Sequence, residues 1–365
     1  MIVRLAREGF NCISLWRLDV SNNILEGPLP ILPAFIRDFQ VWNNCFGGSI
    51  PLSLCRLTSL PQLYLFQNNF MEVIPLCLAN LTELKVLDLS RNSLSGPLPP
   101  FLANLTSLWR LDVSYNILEG SLPMPLTFIR DFLVRNNSFG GSIPSSMCHL
   151  TSLAELDMSQ NYLTGVIPRC LRNLTSLSSL NLATNSLSGY LPPSLANCTT
   201  LDRLDVGCNR MSGAPPTWLS TSSISHIDLR ANNFVGQWPP DIFLRSAFFL
   251  LLIYLTTKFE GPLPVPTAEI RYYSIFNNHF SRSLSSLLCY ATNLIMLDLS
   301  NNSLTGALPD CLKNVTRDLF YLNPRANDFQ GQISEIFHKD STLTSLDLSG
   351  NQFEGPLPRS LSHCK

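Results

Sequence analysis

Along almost its whole length the chain repeats one alternation of apolar and polar positions, and the clearest copy runs from Leu108 to Pro123 as LWRLDVSYNILEGSLP. Leu111 and Val113 alternate with Asp112 and Ser114, the period of a short strand with one buried and one wet face. Asn116 follows at a bend, where a buried amide donates to and accepts from the backbone of its own and neighbouring coils. Each such bond is worth roughly 0.5–1.5 kcal/mol net. Leu118 turns back inward, Gly120 permits a tight or left-handed backbone, and Pro123 sets the next direction.

The polar anchor of this frame returns fifteen times, at Asn23, Asn44, Asn68, Asn92, Asn116, Asn137, Asn161, Asn185, Asn209, Asn232, Thr257, Asn278, Asn302, Asn327 and Asn351, at intervals of 21 to 25 residues. Thr257, with one hydroxyl, replaces only part of an asparagine's bonding. No coil buries its apolar side alone, so the leucines of one coil pack on those of the next. A period of about 20–29 residues is that of leucine-rich repeats. The expected fold is an α/β solenoid, a leucine-rich repeat superhelix with a parallel concave β-sheet, about 15 coils of 21–25 residues and little regular helix. At about 4.8 Å per strand the sheet would be on the order of 70 Å long.

A larger unit overlies the coil. SLWRLDVSNNILEGPLP from Ser14 matches SLWRLDVSYNILEGSLP from Ser107 at 15 of 17 positions, and FIRDFQVWNNCFGGSIP from Phe35 matches FIRDFLVRNNSFGGSIP from Phe128 at 14 of 17. Both offsets are 93 residues, four coils, so 14–51 and 107–144 are two copies, and a diverged third begins at Glu260. Each copy contains a coil of 21 residues, three fewer than its neighbours, which should bend the outer face locally. The close copies differ at Asn22/Tyr115, Gln40/Leu133 and Trp42/Arg135, all expected at outward-facing strand positions. Drift at solvated sites accounts for such changes, and so does diversification of a binding face.

The chain of 365 residues is expected to form a single domain, 1–365, uncapped at both ends. Its first residues, MIVRLAREGFNCISLW, hold no secretory signal and read as the tail of a coil, and the last, RSLSHCK, stop in mid-coil. The chain therefore reads as an excerpt of a longer protein or as a truncated product. The longest apolar run, Ala247 to Leu255, has nine residues, against about twenty for a membrane helix. Its phase puts Leu252 and Tyr254 on a core strand. Charged residues are 14 % of the chain and apolar ones 45 %, so Ser, Thr, Asn and Pro must cover the surface, which suits an extracellular protein. A net charge of −1 and the lack of a basic stripe speak against nucleic acid.

Of eleven cysteines, six repeat one spacing: Cys55 and Cys77, Cys148 and Cys170, and Cys289 and Cys311 are each 22 residues apart. In a stack with a period near 24 residues each pair reaches disulfide distance between adjacent coils on the outer side, the alternative being small buried hydrophobes. No CxxC occurs, and His149, His226, His279, His338 and His363 are scattered, which does not suit zinc. Seven glycosylation sequons lie at Asn80, Asn104, Asn136, Asn173, Asn197, Asn301 and Asn314. Asn80, Asn104, Asn173 and Asn197 precede the next anchor by twelve residues and Asn314 by thirteen, a phase on the outer side. No phosphate loop, metalloprotease helix, nucleophile elbow or kinase signature appears, and nothing calls for a cofactor. The Asp residues of LDLS and LDVS, at Asp19, Asp88, Asp112, Asp157, Asp205, Asp298 and Asp347, form a carboxylate ladder that belongs to the frame rather than to acid–base chemistry.

The LxGxIP ending joined to LDLSxN resembles the plant-specific class of leucine-rich repeat. The blocks EGPLPVPTAEIRYYSIFNN, SLLCYATNLIMLDLSNNSLTGALPDCLKN and FHKDSTLTSLDLSGNQFEGPLPRSLSHC are similar to the C-terminal half of the ectodomain of plant receptor-like proteins. That resemblance implies a non-catalytic cell-surface receptor, on the outer face of the plasma membrane or in the apoplast, acting in defence or developmental signalling. It would sense a peptide, protein or carbohydrate-derived ligand on its concave face and signal through a co-receptor kinase. The family's signal peptide, N-terminal cap, non-repeat island and membrane helix have no counterpart in this sequence. Two other readings compete: a soluble inhibitor of a secreted wall-degrading enzyme, similar to the polygalacturonase-inhibiting proteins, and a truncated fragment without activity of its own. The candidate ligand contacts are positions that abandon the usual Asp and Ser, namely Gln40, Trp42, Tyr64, Phe66, Arg135, Arg230, Phe276 and Arg325, because aromatics and Arg dominate interface energetics.

Overall fold

A computed structural model describes residues 15–122, 128–222, 224–239, 242, 251–253 and 257–364. The residues divide into two units, Met1–Ser186 and Leu187–Lys365, built on the same plan.

In the first unit the Leu-x-Leu alternation forms three-residue strands at Arg17–Asp19, Asp38–Gln40, Gln62–Tyr64, Val86–Asp88, Arg110–Asp112, Asp131–Leu133, Glu155–Asp157 and Ser179–Asn181. They pair in parallel and in chain order, with the frame in register: Leu63 lies beside Leu87, and Leu87 beside Leu111. These central leucines are fully buried, as are Leu108 and Val113 of the same frame. The anchors tie coil to coil. Asn116 is buried. Its Nδ2 donates to Val113 O in its own coil at 3.0 Å and to Leu89 O of the preceding coil at 3.0 Å, while its Oδ1 accepts Leu94 N at 2.9 Å. Asn68, Asn92, Asn137 and Asn161 repeat that three-way bonding.

A second row of parallel strands, unforeseen in the sequence pattern, follows the anchors at Cys45–Ser49, Asn69–Val73, Ser93–Pro97, Ile117–Ser121, Ser138–Ser142 and Tyr162–Gly165. Its cause is the anchor itself. By accepting the amide two residues past the preceding anchor, as Asn92 does for Phe70 N at 3.0 Å, it holds that segment extended against the next coil. Gly120, at φ 87°, then turns the strand where a side chain would be strained. The opposite side of the coils carries 3-10 helices at Leu52–Arg56, Leu76–Asn80, Pro100–Asn104, Ser145–His149 and Arg169–Asn173. Each starts after a proline in extended conformation, such as Pro51 at φ −74° and ψ 140°. The 21-residue coil that ends at Asn44 has no helix between Gly27 and Asp38, so its missing residues thin the helical side. Cys55 is bonded to Cys77 and Cys148 to Cys170, with Cα atoms 5.5 Å apart in each pair, joining neighbouring 3-10 helices.

The second unit has strands at Arg203–Asp205, His226–Asp228, Leu251–Ile253, Tyr272–Ser274, Met296–Asp298, Tyr321–Asn323 and Ser345–Leu346, again parallel. Leu252 lies on the strand expected for the apolar run, and Tyr254 falls outside the described residues. Phe234, Phe259 and Phe280 are fully buried in this core, with ring centroids 6.1 and 6.4 Å apart, and Trp238 meets the Phe259 ring edgewise at 5.4 Å. Thr257 donates its hydroxyl to Asn278 Oδ1, which also accepts Phe259 N at 3.3 Å. Cys289 is bonded to Cys311 with Cα atoms 5.6 Å apart.

Candidate ligand-binding face

Just past each strand the chain turns in a fixed way. Asp88 Oδ1 accepts the amide and hydroxyl of Ser90, and Asp157 Oδ1 does the same for Ser159. The Asp of LDLS is thus a bend cap. The residue before the anchor then adopts a left-handed backbone, with φ of 53° at Arg91, 57° at Tyr115 and 55° at Gln160. This geometry corrects the expectation that the copy differences lie at outward strand positions. The strands are only three residues long, so Trp42 and Arg135 lie two residues beyond them, and Asn22 and Tyr115 sit in the bend at φ 58° and 57°. Gln40 is on its strand and half-buried, whereas Leu133 is buried.

Within the first unit the candidate contacts fall into two clusters. In the first unit Trp42 stacks on Phe66, with centroids 5.2 Å apart and planes 9° from parallel, and Tyr64 meets Phe66 edgewise at 6.2 Å. All three rings are half-exposed. Gln40 lies next to Tyr64 in register and donates to Asp38 at 3.1 Å. Arg135 belongs to a different cluster. Its guanidinium lies 5.5 Å from the centre of the Tyr115 ring, that of Arg91 lies 4.6 Å from the same ring, and Arg135 Nε donates to Gln160 at 3.4 Å. In the second unit Arg230 pairs with Asp228 at 3.2 Å and Arg325 with Asp347 at 3.6 Å, while Phe276 is half-buried on another coil.

The sequence frame concealed a charged stripe. Register brings Val86 beside Arg110, Arg110 beside Asp131, and Asp131 beside Glu155, next to the Asp88–Asp112 pair. Arg110 holds Asp131 at 2.9 Å and approaches Asp112 at 3.9 Å. Burial raises the Asp88 carboxyl above the usual range, helped by Asp112. Burial likewise raises Glu155, with Asp131 adding to the effect and Arg110 opposing it. In the second unit burial, and then the neighbouring Asp205, push Asp228 up to about 6 despite Arg230. Tyr64 is raised by burial and then by Asp88, its register neighbour. Arg110, Glu155 and Arg91 were overlooked because each is an ordinary surface residue in its own coil, and only the 21- to 25-residue offset brings the charges together. Among the described residues no group of three His, Cys, Asp or Glu side chains is placed to hold a metal ion.

Asn80, Asn104, Asn173, Asn197 and Asn314 are each the last residue of a 3-10 helix and exposed, on the side opposite the short strands. Asn136 and Asn301 lie instead in the bend beside the strands, exposed, at φ 52° and 51°.

Leucine-rich repeat family models match residues 129–187 and, separately, 83–105, 293–315 and 342–364. Receptor-like protein 7 of Arabidopsis thaliana is 33 % identical over 102 residues, 27 % of this chain and 10 % of that protein. The chain is a plant leucine-rich repeat protein of the receptor-like type. This leucine-rich repeat chain matches only about a tenth of the length of its curated relatives, among them the receptor-like protein EIX2 of Solanum lycopersicum, 29 % identical over 105 residues, 28 % of this chain and 10 % of that one. Among solved structures it is similar to the plant peptide hormone receptor RGFR1 in complex with RGF2, with a TM-score of 0.84 and 26 % identity over 95 % of this chain and 65 % of that one. Among the described residues of this repeat protein no helix is long and apolar enough to cross a membrane.

Proposed function

We propose that this chain is a non-catalytic, extracellular ligand-binding portion of a plant cell-surface receptor-like protein, and that its short-strand face takes a peptide. The reading rests on the Trp42–Phe66 stack with Tyr64 at its edge. Three half-exposed aromatic rings over two adjacent coils are a large apolar surface left in water, the composition of an interaction hot spot. The likeness to RGFR1, solved with RGF2, supports a peptide as the ligand class. A co-receptor kinase as second partner, and a role in defence or development, follow from the same reading. The sequon asparagines at the ends of the 3-10 helices would carry glycans away from this face.

The test is a displayed random-peptide library selected on the full chain and then re-scored on Trp42→Ala. Clones that use the face should lose roughly thirtyfold or more in affinity, the size of a hot-spot truncation of about 2 kcal/mol. Selected clones that bind the variant at full strength would remove the face from consideration.

A further inference from the structure

The second cluster of the first unit is not explained by the repeat frame. Of the fifteen residues that precede an anchor, Arg91 is the one with a charge and Tyr115 the one with an aromatic ring; most of the others are Asn, Gln, Thr or Ala. Both stand at left-handed φ, 53° and 57°, a conformation that Asn tolerates and a bulky residue adopts at a cost. Two successive bends therefore carry residues that the frame does not favour. Their side chains, with that of Arg135, converge: the Tyr115 ring has one guanidinium 4.6 Å and another 5.5 Å from its centre. Among the described residues neither Arg91 nor Arg135 pairs with a carboxylate, whereas Arg17, Arg110, Arg203, Arg230 and Arg325 each do. Two like charges held on one ring, without a counter-ion, repel each other and attract an anion.

We propose that Arg91, Tyr115 and Arg135 form a clamp at the rim of the first unit's strand face for an acidic side chain, aspartate or glutamate, of the bound peptide. The ring holds both guanidinium groups within 5.5 Å of its centre, and Gln160, which accepts from Arg135 Nε at 3.4 Å, restrains one of them. A single carboxylate suits the place better than a free multivalent anion, because Asp88, Asp112, Asp131, Glu155 and Asp157 line the strands alongside with Arg110 as the cation among them. A ligand with one acid at the rim avoids that stripe, and a polyanion does not. The proposal rests on the strand face being the peptide site.

Arginine labelling by phenylglyoxal, read residue by residue by mass spectrometry on the full chain, tests the clamp. The probes are a short end-blocked Gly-Ser peptide with one glutamate, the same peptide with glutamine, and inorganic phosphate. The glutamate peptide should slow labelling of both Arg91 and Arg135 about threefold or more, the scale of two exposed charge pairs, and leave Arg110, held by Asp131 at 2.9 Å, unchanged. Tyr115→Phe should keep the protection and Tyr115→Ser abolish it, with circular dichroism unchanged in both. Absence of protection, or equal protection by the glutamine peptide, overturns the clamp. Equal protection by phosphate overturns the peptide side chain as its occupant. Library binders that depend on Trp42 but show no acid dependence overturn the clamp alone; acid protection without any Trp42-dependent binder overturns the peptide-face reading and leaves a bare anion site.

Discussion

Residues 14–51 and 107–144 are nearly the same sequence, yet their described residues present different chemistry. In both, a strand arginine reaches the aspartate of the next coil, Arg17 to Asp38 at 3.2 Å and Arg110 to Asp131 at 2.9 Å. In the first copy Trp42 lies flat on Phe66. In the second the same place is Arg135, the residue equivalent to Phe66 is Ser159, and the contact is with Tyr115 instead. A shared frame fixes where a side chain emerges. What it meets is set by a neighbouring coil about 24 residues away, and those neighbours differ between the copies. They have diverged in the bend, at Asn22/Tyr115 and Trp42/Arg135, as well as on the strand, at Gln40/Leu133.

The anchors should give the largest contrast. Asn116 bonds to two coils and is buried, while Asn23, at the same place in the first copy, is exposed and donates to Val20 O and Ser21 O of its own coil. Asn116→Ala should cost about 3–5 kcal/mol by stranding buried backbone groups, and Asn23→Ala about 1 kcal/mol or less. Urea unfolding followed by hydrogen exchange reads this coil by coil, and equal losses would mean that the two anchors are equivalent after all.

The ion pairs come next. Arg17→Gln removes an exposed pair and should change stability by under about 0.5 kcal/mol. Arg110→Gln removes the cation that opposes the raised Glu155 carboxyl and should cost about 1–2 kcal/mol at neutral pH. The sign with pH follows from the direction of the shift. A carboxyl raised in the folded state costs nothing where it is protonated in both states and costs most above its folded value, so the Arg110→Gln deficit should shrink as pH falls towards 4.5, the unfolded value for Glu155. A deficit that grows on acidification would mean the charge stripe is not what Arg110 balances.

The smallest effect on stability is expected from exchanging the copies' distinctive residues. Trp42→Arg with Arg135→Trp touches half-buried positions outside the strands and should shift the thermal midpoint by no more than about 2 °C. Each copy should then lose its own surface without gaining the other's, because the indole introduced by Arg135→Trp would face Ser159 and not a phenylalanine. A normal aromatic stack reconstituted in the second copy, seen as tryptophan emission matching the parent, would show that the copies are interchangeable.

The coil period, the inward leucines and the anchors were legible because each is local: a residue and its place in a 24-residue frame settle its environment. The second strand row was not, since Phe70 is held extended by Asn92 of the next coil. Nor was the left-handed bend, which moved Tyr115 and Asn22 off the strand, or the three-residue strand length that left Trp42 and Arg135 beyond the strands. Sequence alone determined that the chain is a stack of leucine-rich coils, because every copy must bury the same face against the next. Which aromatics stack, which arginines are left without a carboxylate, and how burial beside Asp205 pushes Asp228 up to about 6 were decided by the tertiary structure. Those properties arise between coils, where side chains from different parts of the sequence share one small volume and one local field.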